Sequence, residues 1–238
     1  MDLLTTLLIS IGFNLLMFIP AWIYKTDKLT DLSYAISFVA LAVYGILFGG
    51  LTIPALILFL MIFLWALRLG SYLFIRIRKI KKDSRFDEMR KHFWQFFRFW
   101  LLQGISVWIV LIPSLLFFLA RIENLVPASY IGVAIWLIGF LIETFADIQK
   151  YKFINNPQNS GKWIDTGLWK YSRHPNYFGE ITLWIGVYIF TLSGLNIFDK
   201  FVGLISPLYI SLLIIFVSGI PLLEKAADKR WGGDKEYV

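Results

Sequence analysis

Seven stretches of the chain are apolar over about the 20 residues a helix needs to cross a bilayer. They are Leu3–Tyr24, Leu32–Gly49, Leu51–Ile75, Phe99–Ala120, Leu125–Ile148, Pro175–Phe198 and Phe201–Leu223. The last holds no charge. The third is interrupted by Arg68, the fifth ends in Glu143 and Asp147, and the sixth carries Glu180 near its start. This pattern predicts an all-α, polytopic membrane protein with about seven transmembrane helices.

The intervening segments test the map independently. Lys25 and Lys28 follow the first span, and no charge separates the second from the third. Between the third and fourth lie Arg76, Arg78, Lys79, Lys81, Lys82, Arg85, Arg90, Lys91 and Arg98; between the fourth and fifth, only Arg121. Lys150, Lys152, Lys162, Lys170 and Arg173 precede the sixth, Lys200 alone precedes the seventh, and Lys225, Lys229, Arg230 and Lys235 follow it. Basic residues therefore fall on alternate sides. By the positive-inside rule the N-terminus lies outside and the C-terminus in the cytoplasm. The segment Arg76–Lys91 mixes charges with Ile77, Ile80, Phe86 and Met89, and is expected to lie along the membrane surface. With no repeat or low-complexity stretch, residues 1–238 read as a single membrane domain, and 149–174 as its long cytoplasmic loop.

Composition narrows the reading. Of 238 residues, 58% are hydrophobic and 16% charged, too little polar surface for a soluble domain of this length. The absence of cysteine excludes disulfides, zinc thiolates and a catalytic thiol, and no metal site is expected. The net charge of +7 is spread between apolar runs, which suits lipid phosphates rather than nucleic acid. Met1-Asp2-Leu3-Leu4 lacks a basic leader region and reads as the start of the first span.

Charges inside a bilayer are expensive and point to function. Glu143, Asp147 and Lys150 are spaced i, i+4, i+7 and share one helix face. Arg173-His174-Pro175-Asn176-Tyr177 is followed by Glu180; Pro175 suits a first helical turn, which would put Asn176 and Glu180 on one face. Glu224 ends the seventh span. Together these form an acidic and amide rim beside a basic loop, at a helix N-terminus suited to phosphate. The competing readings are an interfacial anchor or structural ion pair for Glu143, Asp147 and Glu224, snorkelling for Arg68, and an interfacial position for His92.

The stretch Gly167-Leu168-Trp169-Lys170-Tyr171-Ser172-Arg173-His174-Pro175-Asn176-Tyr177-Phe178-Gly179-Glu180 resembles the signature of the steroid 5α-reductase C-terminal-domain-like membrane proteins. The likeness extends to Ile142–Lys150, Ser218–Glu224 and Arg230-Trp231-Gly232. Trp65–Leu69 and Asp83-Ser84-Arg85-Phe86 resemble the family's bacterial branch, so that residues 60–238 carry the resemblance. It implies a seven-helix fold holding NADPH in a cavity open to the cytoplasm, with Glu143, Asp147, Arg173, His174, Asn176, Tyr177 and Glu180 lining the cofactor site. Lys150 and Glu224 join this set by position. The implied reaction is hydride delivery to an activated carbon–carbon double bond of a sterol-like or isoprenoid lipid in the bacterial cytoplasmic membrane. Such a step needs donors for phosphate, acceptors for ribose and amide, and an acid for the substrate carbonyl. Trp65 stands where steroid reductases place that acid, a tyrosine, and the second span has no Gln-Glu pair. Tyr34, Tyr44 and Tyr72 are the available replacements; Tyr72, one turn beyond Arg68, and Tyr34 are the catalytic candidates.

Arg-His-Pro-x-Tyr-x-Gly also resembles the motif of isoprenylcysteine and phospholipid methyltransferases, which bind S-adenosylmethionine. Those enzymes pair it with a C-terminal Glu-Glu, whereas this chain has a single Glu224. A non-catalytic lipid-binding protein is the third reading.

Overall fold

The computed structural model describes residues 2–80, 86–234 and 237, without the side chains of residues 74 and 76–80. Helices are α1 (Leu3–Ile23), α2 (Thr30–Gly49), α3 (Ile53–Ile80), α4 (Phe93–Ala120), α5 (Pro127–Ile154), α6 (Pro175–Thr191), α7 (Ile197–Gly203), α8 (Ile205–Leu212) and α9 (Ile220–Trp231). There is no strand among the described residues. Six helical segments there are long and apolar enough to cross a membrane: α1, α2, Ile53–Leu73 of α3, α4, α5 and the interrupted stretch Ile197–Trp231. The sequence segment left over, the sixth, is α6, which at 17 residues sits at the short end of the spanning range.

The helices are inverted relative to a soluble bundle. On α1, Thr6, Ser10 and Asn14 are buried while Leu4, Leu8, Leu16 and Ile19 are exposed. Polar side chains face inward because lipid can satisfy neither a hydroxyl nor an amide. Ser10 Oγ donates to the Gly104 carbonyl at 2.7 Å, Asn14 Nδ2 to Ser37 Oγ at 3.0 Å, and Gln103 Nε2 to Asn14 Oδ1 at 2.8 Å. This network ties α1, α2 and α4 together. A second joint is aromatic: Trp65 of α3 meets Phe38 of α2 at 4.7 Å and Trp184 of α6 at 4.9 Å between ring centroids.

The tightest pair is α5 with α6. Gly132 and Gly139 on one helix face Gly186 and Gly179 on the other; a Cβ at Gly139 would lie 2.5 Å from Leu183 N, and one at Gly179 2.6 Å from Glu143 N. Only hydrogen fits between these backbones, and the contact carries Glu143 up against α6.

Several boundaries differ from the sequence map. α3 continues through Arg76–Lys79 to Ile80, and α4 begins at Phe93 with His92 as its N-cap, so little remains for a surface segment. Residues 81–85 of that segment, with Lys81, Lys82 and Arg85, lie outside the described residues. α5 runs on to Ile154 and brings Lys150 onto the helix. α6 stops at Thr191 rather than Phe198. The last stretch is broken, at Leu204 three residues before Pro207, and again at the π-turn Leu213–Val217 before Gly219 and Pro221. A proline lacks the amide its position would need to bond the preceding turn, so apolarity alone cannot keep this stretch straight.

Contacts between turns show which ends gather. Arg90 donates to Asp27 Oδ1 at 2.7 Å, joining the α1–α2 turn to the segment before α4. Trp231 Nε1 donates to the Gly161 carbonyl at 2.7 Å, joining α9 to the α5–α6 loop. At the opposite end Arg121 donates to the Phe48 carbonyl at 3.3 Å.

Candidate functional site

Close to the end of the bundle rich in basic residues, α3, α5 and α6 bring charges into apolar surroundings. The Arg68 guanidinium pairs with Glu143 Oε1 and donates from Nη1 to Asp147 Oδ2 at 2.7 Å. These side chains are only 12%, 4% and 8% exposed. The i, i+4 spacing sets both carboxylates on one face of α5, and the α5–α6 approach turns that face inward. Asn176, on the first turn of α6, donates Nδ2 to Asp147 Oδ1 at 3.3 Å. Glu180, one turn further along α6, lies within electrostatic reach of Arg68, Glu143 and Asp147. One guanidinium is thus shared by three carboxyl groups. Arg68 Nε, Glu143 Oε2, Asn176 Oδ1 and His174 Nδ1 are buried without a hydrogen-bond partner among the described residues. Buried polar atoms are normally satisfied, so four orphans in one cluster call for an explanation.

Arg68 is the principal correction to the sequence reading. Its side chain does not snorkel toward the membrane surface; it turns into the protein and holds α3 to α5. Lys150, expected on the same face as Glu143 and Asp147, sits a turn further on with its Nζ 4.7 Å from the ring centre of Trp169. Trp169 is buried and donates from Nε1 to the Ala146 carbonyl at 3.0 Å.

α6 begins at Pro175, as its sequence suggests, with His174 as N-cap. Arg173 is about half exposed; it donates from Nη1 to Glu224 Oε2 at 2.9 Å and from Nη2 to the Tyr237 carbonyl at 3.0 Å. His174 Nε2 lies 2.5 Å from Glu224 Oε1, and its ring stacks on Tyr177 at 5.7 Å. Glu224, carried by α9, therefore bridges Arg173 and His174. Its hydrogen bond to Arg173 raises the guanidinium pKa above the ordinary value.

Beside this bridge lies a cavity of about 410 Å³ between the end of α5, the α5–α6 loop and α9. Lys150, Lys162 and Arg230 line it with Trp163, Trp231 and Tyr237. The structure thereby joins what the sequence listed separately. Lys150 is three residues from Asp147 on α5, and His174 two residues from Asn176, so one wall of the cavity leads to the buried cluster.

The tyrosines separate clearly. Tyr34 stacks edge-on against Trp65, with centroids 6.4 Å apart, and lies within electrostatic reach of Glu180. Tyr72 is half-buried further along α3. Tyr44 packs on Phe48 at 4.4 Å, at the opposite end of the bundle. Trp65 itself is 1% exposed, within the aromatic joint.

Trp163 and Tyr237 are not singled out by sequence, and Trp231 enters only through the family resemblance, because aromatic residues near span ends are usually interfacial. Their signal was position: Trp163 lies inside a polar loop, and Trp231 beyond the last apolar run.

An inverted, all-helical bundle with a charged cluster in its apolar interior defines a multi-pass membrane protein. The chain belongs to the family described as "Protein of unknown function (DUF1295)", which matches residues 17–238 and is part of the steroid 5α-reductase-like membrane superfamily. It is similar to the Delta(14)-sterol reductase of Arabidopsis thaliana, 32% identical in an alignment 73 residues long that covers 26% of this chain and 20% of that protein. An uncharacterized protein of Schizosaccharomyces pombe is 23% identical over 214 residues, covering 74% of this chain and 60% of its own. The chain thus spans less than two thirds of the length of either relative. No solved structure matches it significantly.

Proposed function

We propose that this protein is an NADPH-dependent membrane reductase that delivers hydride to a carbon–carbon double bond of a sterol-like or isoprenoid lipid. The observation that carries the reading is the buried Arg68–Glu143–Asp147–Asn176 cluster with its unpartnered polar atoms, a turn away from a basic, aromatic cavity. The donor set fits a reduced nicotinamide dinucleotide phosphate at both ends. Cations and rings in the cavity suit phosphate and base; Glu143 Oε2 and Asn176 Oδ1 offer acceptors for an amide; Arg68 Nε and Asn176 Nδ2 offer donors. When bound, the cofactor would supply hydride. Glu143 and Asn176, the latter held by Asp147, would accept from the nicotinamide amide, and Arg68 would hold the carboxylates in place. Tyr34 is the better placed of the two candidate tyrosines, since it packs against Trp65 and lies within electrostatic reach of Glu180. An indole N–H such as that of Trp65 donates a hydrogen bond but does not give up its proton. The similarity to a sterol reductase supports the reaction class, and the alternation of basic segments supports a cavity open to the cytoplasm.

Thermal stability of the purified protein in detergent tests this directly, because a ligand at 100 times its Kd stabilises by about 2.7 kcal/mol. NADPH is expected to raise the melting temperature, S-adenosylmethionine is not, and Asp147→Asn should diminish the NADPH shift. Stabilisation by S-adenosylmethionine without any by NADPH would replace the reductase reading with a methyltransferase.

A further inference from the structure

The cavity beside α9 carries a more specific assignment, which rests on the nucleotide-binding reading above. By sequence, Arg173 is the natural phosphate ligand. In the structure its guanidinium is already committed: Nη1 to the Glu224 carboxylate, Nη2 to the Tyr237 carbonyl, its plane over the Tyr237 ring at 4.7 Å. A phosphate taken there would have to displace a carboxylate that His174 also holds. Two of the other cations that line the cavity stand beside its aromatic rings. Lys162 stands next to Trp163, and the Arg230 guanidinium lies 4.8 Å from the ring centre of Trp231. The rings they accompany pack on one another along the cavity wall: Trp163 is 6.3 Å from Trp231 and 5.5 Å from Tyr237, and Trp231 is 5.8 Å from Tyr237. The cavity is lined by four cations, Lys150, Lys162, Arg173 and Arg230, against two carboxylates, Asp165 and Glu224. With Glu224 bound by Arg173 and His174, Lys150, Lys162 and Arg230 are left against Asp165 alone along this lining.

We propose that an adenine ring stacks on the cavity-facing surface of the Trp163–Trp231–Tyr237 cluster, and that Lys162 and Arg230, rather than Arg173, hold a phosphate monoester on the attached ribose. Flat aromatic faces stack on a base whatever its edge pattern. A guanidinium and an ammonium meeting a dianionic monoester make charge-assisted bonds, and these confer the preference for a phosphorylated dinucleotide. Arg173 instead fixes α9 through Glu224 and so shapes the wall that carries Arg230 and Trp231.

Adenosine 2′,5′-bisphosphate and adenosine 5′-monophosphate isolate this end of the ligand. Their affinities for the purified full chain, by calorimetry in detergent, should differ by about tenfold or more in favour of the bisphosphate. The double variant Lys162→Gln/Arg230→Gln should bind the two alike, keep its affinity for the monophosphate, and melt where the wild type melts without ligand. A preference that survives in this variant and disappears in Arg173→Gln would overturn the assignment. Equal wild-type affinity for both nucleotides would also overturn it, while leaving the reductase reading intact. Failure of the wild type to bind either nucleotide would overturn the two together. Should the double variant melt lower, the single changes Lys162→Gln and Arg230→Gln, each expected to remove part of the preference, provide the same comparison.

Discussion

Removing the guanidinium of Arg68 would leave Glu143 and Asp147 facing each other in a site nearly closed to water. Breaking a buried ion pair from one side costs about 3–5 kcal/mol, because the abandoned charges keep their desolvation penalty. Arg68→Ala is therefore expected to lower the melting temperature of the detergent-solubilised protein sharply. Asp147→Asn should be milder, since Glu143 still pairs with Arg68 and an amide can still accept from Asn176. Replacing all three charges together, as Arg68→Met/Glu143→Gln/Asp147→Asn, should recover part of the loss while abolishing NADPH binding. Unchanged stability in Arg68→Ala would show that the guanidinium is not the partner of these carboxylates. The sequence offers Asp147 as a cofactor-site residue or a member of a structural ion pair with no partner fixed; the structure pairs it with Arg68, 79 residues away in sequence.

At the scale of elements, the site depends on how closely α5 and α6 approach. A methyl group at Gly179 would push against the backbone at Glu143 and Gly139. Overpacking of this kind costs about 1–3 kcal/mol, and here it would also move Glu143 relative to Asn176 and Glu180. Gly179→Ala should thus lower both melting temperature and NADPH affinity. Gly12→Ala makes the matching control, because nothing lies within 4 Å of a Cβ on that face of α1, and alanine is the better helix former. If both variants behaved alike, the glycine contact would not be what positions the site. α9 shows a different dependence: none of its residues is buried, and it is held through Glu224, Trp231 and the neighbouring rings.

For the molecule as a whole, the gathering of basic segments at one end calls for a fixed orientation in the membrane. Lys and Arg bias holds short loops on the cytoplasmic side. The chain has no cysteine, so single introduced thiols report cleanly. In intact cells, Leu51→Cys in the α2–α3 turn should react with an impermeant maleimide, and Ser160→Cys in the α5–α6 loop should react only after permeabilisation. The reverse pattern would place the candidate cofactor cavity outside the cytoplasm, away from any supply of reduced dinucleotide.

The sequence by itself determined the all-helical, membrane-spanning class and most of the helices. A run of some 20 apolar residues, the i, i+4 spacing of Glu143 and Asp147, and a proline at the first turn of α6 are local properties, set by backbone geometry and by the cost of placing polar groups in lipid. Local properties cannot tell which distant side chain will answer a buried charge. Arg68 reads as a residue reaching for the surface until the folded bundle shows the two carboxylates of α5 across from it. Arg173 reads as a free phosphate ligand until α9 delivers Glu224 to it. The breaks in the last apolar stretch, and the meeting of Trp163, Trp231 and Tyr237 around one cavity, likewise come from chain segments far apart in sequence. They were decided by the tertiary structure, because pairing and packing between helices depend on the close approach of whole surfaces rather than on the period along any one of them.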